Sequence, residues 1–161
     1  MSAFAKGNEV WVEVEGKDSA DPYALATVIS AQPFRCEMQA TGLQASPAIG
    51  MCTLANKTVE KDNTALSSIG PATLLENTRR RYADDEVYTF TGSIVTSVNP
   101  CKPLPGLYDE AAMSKCLRER KDPEPHLFVT AVRAAHASPT ACARITHAKC
   151  VCAFVPHTTA C

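Results

Sequence analysis

Residues 8–15 alternate apolar and polar side chains, with Val10, Val12 and Val14 on one face and Glu9, Glu13 and Glu15 on the other; Trp11 is the exception. A period of two belongs to a strand with one face in a core. The polar stretch 16–22 ends it, YALATVIS over 23–30 supplies a second apolar strand, and 34–38 supplies a third. Three short strands in succession predict a small antiparallel sheet or barrel. Over 40–63 the pattern dissolves into Gly, Ser, Pro, Asn and Thr, the composition of a surface loop or linker.

Order returns at Gly70-Pro71. Proline at a first helical position opens ATLLENTRRRY as a helix, which Asp84, Asp85 and Glu86 end near Tyr82. Two β-rich runs, 87–90 and 93–98, follow with Thr91-Gly92 between them, a hairpin signal. Asp109 then caps a second helix whose Met113, Cys116, Leu117 and Arg120 share one face, with Met113 and Cys116 expected in the core. Its acidic start and basic end (Arg118, Arg120, Lys121) suit the helix dipole. Pro123 and Pro125 interrupt the chain. A third helix carries Phe128, Ala131, Val132 and Ala135 at i, i+3, i+4 and i+7 and stops before Ser138-Pro139. No internal repeat or low-complexity tract occurs.

Composition narrows the function classes. At 161 residues and 45% hydrophobic, the chain can build one domain or two small ones. Sixteen Lys plus Arg oppose seventeen Asp plus Glu, so no net field recruits nucleic acid or an anionic membrane, and neither is expected as a partner. Arg79, Arg80 and Arg81 are offset at once by residues 84–86 and read as a solvated helix end. The amino terminus carries no export signal and no run of eighteen apolar residues occurs, which predicts a soluble intracellular protein with its eight cysteines reduced.

Four of those cysteines crowd into residues 138–161, where Cys142, His147, Cys150, Cys152, His157 and Cys161 gather the donor types that zinc prefers. No C-x₂-C pair occurs among them, so accidental richness in Cys and His stands beside the zinc reading and no metal ligand is assigned. His126 and His136 fall at the two ends of the third helix and read as helix-end or surface residues, with no Ser or Cys nucleophile placed beside either. Trp11 either covers the barrel or marks a protein-binding surface.

The stretch TFTGSIVTSVNPCKPLPGLYDE, residues 89–110, is a strand that stops at a proline-rich turn, and by pattern alone it is an ordinary loop. Its context is more specific. LLENTRRRYADDEVYTFTGSIVTSVNPCKPLPGLYDE, residues 74–110, closely resembles the opening of the myosin motor domain: a helix ending in Arg-Tyr, acidic residues, a Tyr-Thr-aromatic-Thr-Gly hairpin, and Asn-Pro-x-Lys-x-Leu-Pro ending in Tyr. KDNTALSSIGPATLLEN resembles the segment leading into that helix, and PHLFVTAVRAAHA the helix that follows. GNEVWVEVEG with YALATVIS is similar to the small Src-homology-3-like barrel that precedes many myosin motors. The resemblance implies an α+β chain: a small antiparallel β-barrel at 6–50, a linker at 51–70, and at 71–137 the helix, β-hairpin and two helices that start an incomplete P-loop NTPase-type motor core. An unrelated Cys/His-rich tail fills 138–161, as a truncated product or a reading frame that has run astray would have it.

By resemblance Asn99, Pro100 and Tyr108 face the adenine of a nucleotide, with Lys102 beside them. Proline fixes the backbone, the amide offers a donor and an acceptor, and tyrosine offers a flat face. Cys101 replaces the usual aromatic and Pro103 a common polar residue. The family implies ATP and magnesium, actin as partner, and a cytoplasmic, cytoskeleton-associated myosin complex. A motor also needs a phosphate loop, G-x-x-x-x-G-K-[ST]; this sequence has no glycine after Gly106, and Gly16-Lys17 is followed by Asp18. The expectation is a motor segment without hydrolytic activity of its own. The alternative is a non-enzymatic interaction module in which the barrel and Trp11 bind a partner peptide.

Overall fold

The computed structural model describes residues 4–14, 21–119 and 121–137, the last three of them by backbone alone. Its elements are β1 (Glu9–Glu13), β2 (Tyr23–Ala31), β3 (Phe34–Met38), β4 (Gln44–Ala45), β5 (Cys52–Leu54), α1 (Pro71–Ala83), β6 (Tyr88–Thr91), β7 (Ile94–Ser97), α2 (Glu110–Arg118) and α3 (Leu127–Ala137). The architecture is α+β. Two compact units divide inside α1, between Arg80 and Arg81.

In the first unit the strands pair antiparallel in the order β4-β3-β2-β1-β5, an open sheet with β4 and β5 at its edges. The alternation of β1 settles its register. Val10 lies opposite Ala26 on one side and Leu54 on the other, and Val12 opposite Ala24 and Cys52. The next row sets Val28 against Cys36 and Cys36 against Ala45. One face therefore collects Phe4, Val10, Val12, Ala26, Val28, Phe34, Cys36 and Cys52 as a buried core. Burial pushes the thiols of Cys36 and Cys52 above the usual cysteine range, which keeps both protonated and inert.

The segment 40–63, expected as a loop or linker, supplies both sheet edges, β4 and β5. Strands of two and three residues are too short to show a period. The rest of that segment is tied by amide side chains. Asn77, buried on α1, accepts from the Glu60 amide at 2.9 Å and donates to the Glu60 carbonyl at 2.9 Å and to Asn63 Oδ1 at 2.8 Å. Asn56 does the same for residues 67–68: it donates to the Ser68 carbonyl and accepts from the Ser68 amide and the Ser67 hydroxyl. Trp11 is half-buried and faces Asn56, Leu66, Thr73 and Asn77 across a space of about 10 Å³, room for one water.

In the second unit β6 and β7 form the hairpin, with Thr91 opposite Ile94, so the turn is Gly92-Ser93 rather than Thr91-Gly92. Gly92 has φ 63, a left-handed conformation that suits glycine at the first position of a two-residue hairpin turn. Val87, Tyr88, Thr89 and Phe90 are all buried, so both faces of β6 are covered. Phe90 carries the Arg133 guanidinium 4.8 Å from its ring centre. Phe128 and Val129 are the buried pair of α3; Ala131 and Val132 are half-buried, and the side chain of Ala135 lies outside the described residues. On α2 no side chain is fully buried: Met113 and Cys116 are half-covered and Leu117 is exposed, which corrects the expectation of core positions there. Arg120 and the tail at 138–161, including its six Cys and His side chains, lie outside the described residues.

Arg81 is the second correction. It is not solvated but buried, with its Nε donating to Thr89 Oγ1 at 3.1 Å and its Nη2 donating to the Tyr88 carbonyl at 2.9 Å and to Glu86 Oε2 at 3.1 Å. Thr73, Asn77 and Arg81 recur every four residues along α1 as its buried polar stripe. Arg79 and Arg80, in contrast, are exposed and pair with Asp21 and Glu76.

Two expectations follow for chemical unfolding. Val28→Ala, at a site 1% exposed, lowers stability by about 2 kcal/mol, whereas Leu43→Ser, at 68% exposed, stays within about 0.5 kcal/mol of the parent. Arg81→Lys keeps the charge but not the planar fork and lowers stability by about 2 kcal/mol, while Glu86→Gln, at a half-exposed carboxylate, lowers it by less than about 1 kcal/mol. Equal losses from the two would show that the ion pair, not the backbone bonds, carries Arg81.

Candidate functional site

The turn after β7 is built from its own side chains. Asn99 Oδ1 accepts from the Cys101 amide at 2.9 Å, a local bond that bends the chain as a backbone turn would. Cys101 takes φ 50, uncommon for a residue other than glycine. The Pro100 carbonyl accepts from the Tyr82 hydroxyl at 3.2 Å, and Lys102 Nζ lies 2.5 Å from Asp85 Oδ1. That carboxylate raises the Lys102 ammonium above the usual lysine range, so its charge is matched locally. Asn99, Cys101 and Lys102 are exposed, and Pro100 is half-buried.

Tyr108 closes the stretch just before Asp109, which caps α2 by accepting from the Ala112 amide at 2.7 Å. Tyr108 is 44% exposed, yet its hydroxyl is fixed 2.6 Å from the hydroxyl of buried Tyr88. Burial, and then the bond to Tyr108, push the Tyr88 hydroxyl upward, so it stays a phenol at ordinary pH. Behind both tyrosines lies His126. It stands at a helix end as expected, but it is buried, not a surface group. Its ring centre is 5.1 Å from Tyr88, 5.9 Å from Tyr108 and 4.7 Å from Phe128.

The four residues singled out from the sequence thus lie on one stretch, three of them at the Asn99 turn and Tyr108 at its far end. Tyr88 and His126, which support Tyr108, fall inside the hairpin motif and the PHLFVTAVRAAHA segment, but nothing in either motif says that they meet Tyr108. The side chain of His136 lies outside the described residues. A separate cavity of about 160 Å³ is lined by Leu107, Ala112, Cys116, Pro123, Pro125 and His126, and none of the four touches it. Burial raises the Cys116 thiol above its ordinary range, the opposite of an activated nucleophile.

The stretch thus presents an exposed amide side chain at Asn99 and a tethered, part-exposed phenol at Tyr108. The lysine beside them is held by a carboxylate. Among the described residues no group of three or more His, Cys, Asp or Glu side chains is placed to hold a metal ion, and no helix is long and apolar enough to cross a membrane.

Residues 60–139 match the family model of the myosin head, the motor domain. Protein OPAQUE1 of Zea mays is 32% identical over 136 residues, 80% of this chain and 9% of that protein. Myosin-16 of Arabidopsis thaliana is 41% identical over 69 residues, 42% of this chain and 6% of its own length. Unconventional myosin-VI of Homo sapiens is 37% identical over 84 residues, covering 50% of this chain and 6% of that protein. The chain thus spans less than a tenth of each relative. Through the segment 60–139, which holds α1, the hairpin and the turn at Asn99, the chain belongs to the myosin head family.

Proposed function

We propose that the stretch from Asn99 to Tyr108 is the adenine-facing wall of a nucleotide site, and that the chain serves an actin-based motor driven by ATP. The observation that carries the reading is Tyr108: an aromatic residue left 44% exposed while its hydroxyl is tied to a buried partner. A core tyrosine would be covered, and a loop tyrosine would be untethered. Asn99 offers its amide nitrogen to the edge of the base, Pro100 stiffens the approach, and Lys102, already matched by Asp85, contributes position more than charge.

ATP, magnesium, actin and a place in a cytoskeletal myosin complex come to this chain from its family. These 161 residues carry no phosphate-loop sequence, so base contacts act here without the amides and lysine that would cradle the phosphates. The chain alone accordingly binds adenine nucleotides weakly and does not hydrolyse them.

Titration with ADP, followed by calorimetry or by NMR of the chain, tests this. Saturable binding is expected, weakened about tenfold by Asn99→Ala, the loss of one hydrogen bond to the base. Asn99→Asp keeps an acceptor for the Cys101 amide but removes the donor to the base, so it should weaken ADP binding by a similar factor while the turn survives. No binding at millimolar ADP, or binding that ignores both Asn99→Ala and Tyr108→Ala, sinks the assignment.

A further inference from the structure

We infer that His126 is a positioning residue: as a neutral imidazole it locks Tyr108 in place through the Leu107 carbonyl, and on protonation it lets Tyr108 go. The inference rests on the reading of Tyr108 as part of the base wall. Both ring nitrogens of His126 are occupied, and the partners dictate the tautomer. A carbonyl can only accept, so Nε2 carries hydrogen and donates to Leu107 O at 2.8 Å. An amide can only donate, so Nδ1 is bare and accepts from the Phe128 N–H at 3.0 Å.

The second bond makes His126 the cap of α3, since Phe128 is the second residue of that helix. The first bond pins the residue adjoining Tyr108, whose ring lies edge-on to the imidazole at 5.9 Å. One side chain therefore joins the start of α3 to the stretch that presents the tyrosine face. Asn and Ser are the common caps and have no comparable second arm.

A proton added to Nδ1 breaks this arrangement at its α3 end: Nε2–H can still donate to Leu107 O, but the ring has to turn away from the Phe128 N–H, and that turn carries Nε2 off the carbonyl beside Tyr108. Nδ1–H and the Phe128 N–H would face each other as two donors, and an imidazolium would sit at the positive end of the helix dipole. Around the ring, β6 contributes the Tyr88 ring and the preceding stretch the Tyr108 ring. Lys115 and Cys116 of α2, Glu119 at its C-terminal cap and Glu124 line the same cavity as His126. Lys115, Glu119 and Glu124 are exposed and screened by water, and Cys116 is held as a thiol. Burial lowers the His126 proton affinity, and the Leu107 bond only partly offsets it. The sign follows: with the folded value below the ordinary 6.5, the stability contributed by neutral His126 is complete above pH 6.5 and is lost as pH falls from there toward the folded value.

Side-chain NMR of the unmodified chain from pH 8 to 5 supplies the test, with ADP as the probe ligand. The Nε2–H tautomer should appear at neutral pH, the His126 midpoint should fall below 6.5, and the Tyr108 ring signals should shift with that same midpoint. ADP affinity should fall about tenfold for each pH unit below it, as one linked proton requires. His126→Asn can keep the cap to Phe128 but cannot reach Leu107, so it should leave α3 folded, move the Tyr108 signals at neutral pH and flatten the pH dependence. Tyr108 signals that ignore both the His126 titration and this variant overturn the inference. Coupling of His126 to Tyr108 with no ADP binding at any pH upholds the positioning role and overturns the nucleotide reading instead.

Discussion

A guanidinium with almost no water around it organises the second unit. Arg81 spends its donors on the Tyr88 carbonyl, the Thr89 hydroxyl and the Glu86 carboxylate, and so fastens the last turn of α1 to the strand that follows. Burying a charge is expensive unless each donor finds a partner. Here backbone and hydroxyl oxygens do most of that work, because Glu86 is half in solvent and contributes little by charge alone. Tyr88 inherits the consequence. Held at its carbonyl by Arg81, it meets Tyr108 with its hydroxyl and His126 with its ring.

Each unit is held by its own chemistry. The first has an apolar face of interleaved Val, Ala, Phe and Cys side chains, gathered by strand register, with asparagines lacing the irregular segment between β5 and α1. The second has few fully buried side chains on its helices and relies on directional contacts: Arg81, the tyrosine pair, the imidazole and the Arg133 guanidinium over Phe90. Directional contacts fix positions closely but fail all at once when a partner is removed. A site that must present an aromatic face at one angle is well served by them.

How much of this was legible in the chain depends on the length of each signal. Alternation over 8–15 and 23–30 exposes β1 and β2, and β3 runs over the expected 34–38. Helix bounds follow from Pro71 and Asp109, whose capping chemistry is local. β4 and β5 escape notice because two or three residues establish no period, and they are strands only because neighbours offer edges to pair with. Arg81 hides among three arginines, and only the four-residue recurrence of Thr73, Asn77 and Arg81 separates it from the two exposed ones. The Asn99 motif is readable as a motif. Its support by Tyr88 and His126 is not, since contacts 18 to 20 positions apart leave no spacing rule in a sequence.

Cys101 holds a left-handed backbone that Asn99 fastens through the peptide N–H, a group every residue but proline possesses. The course of the polypeptide at this corner thus rests on a backbone bond, and position 101 can take any side chain that accepts a positive φ. What position 101 adds to this corner is a small, exposed thiol, open to oxidation while the amide beneath it stays tied.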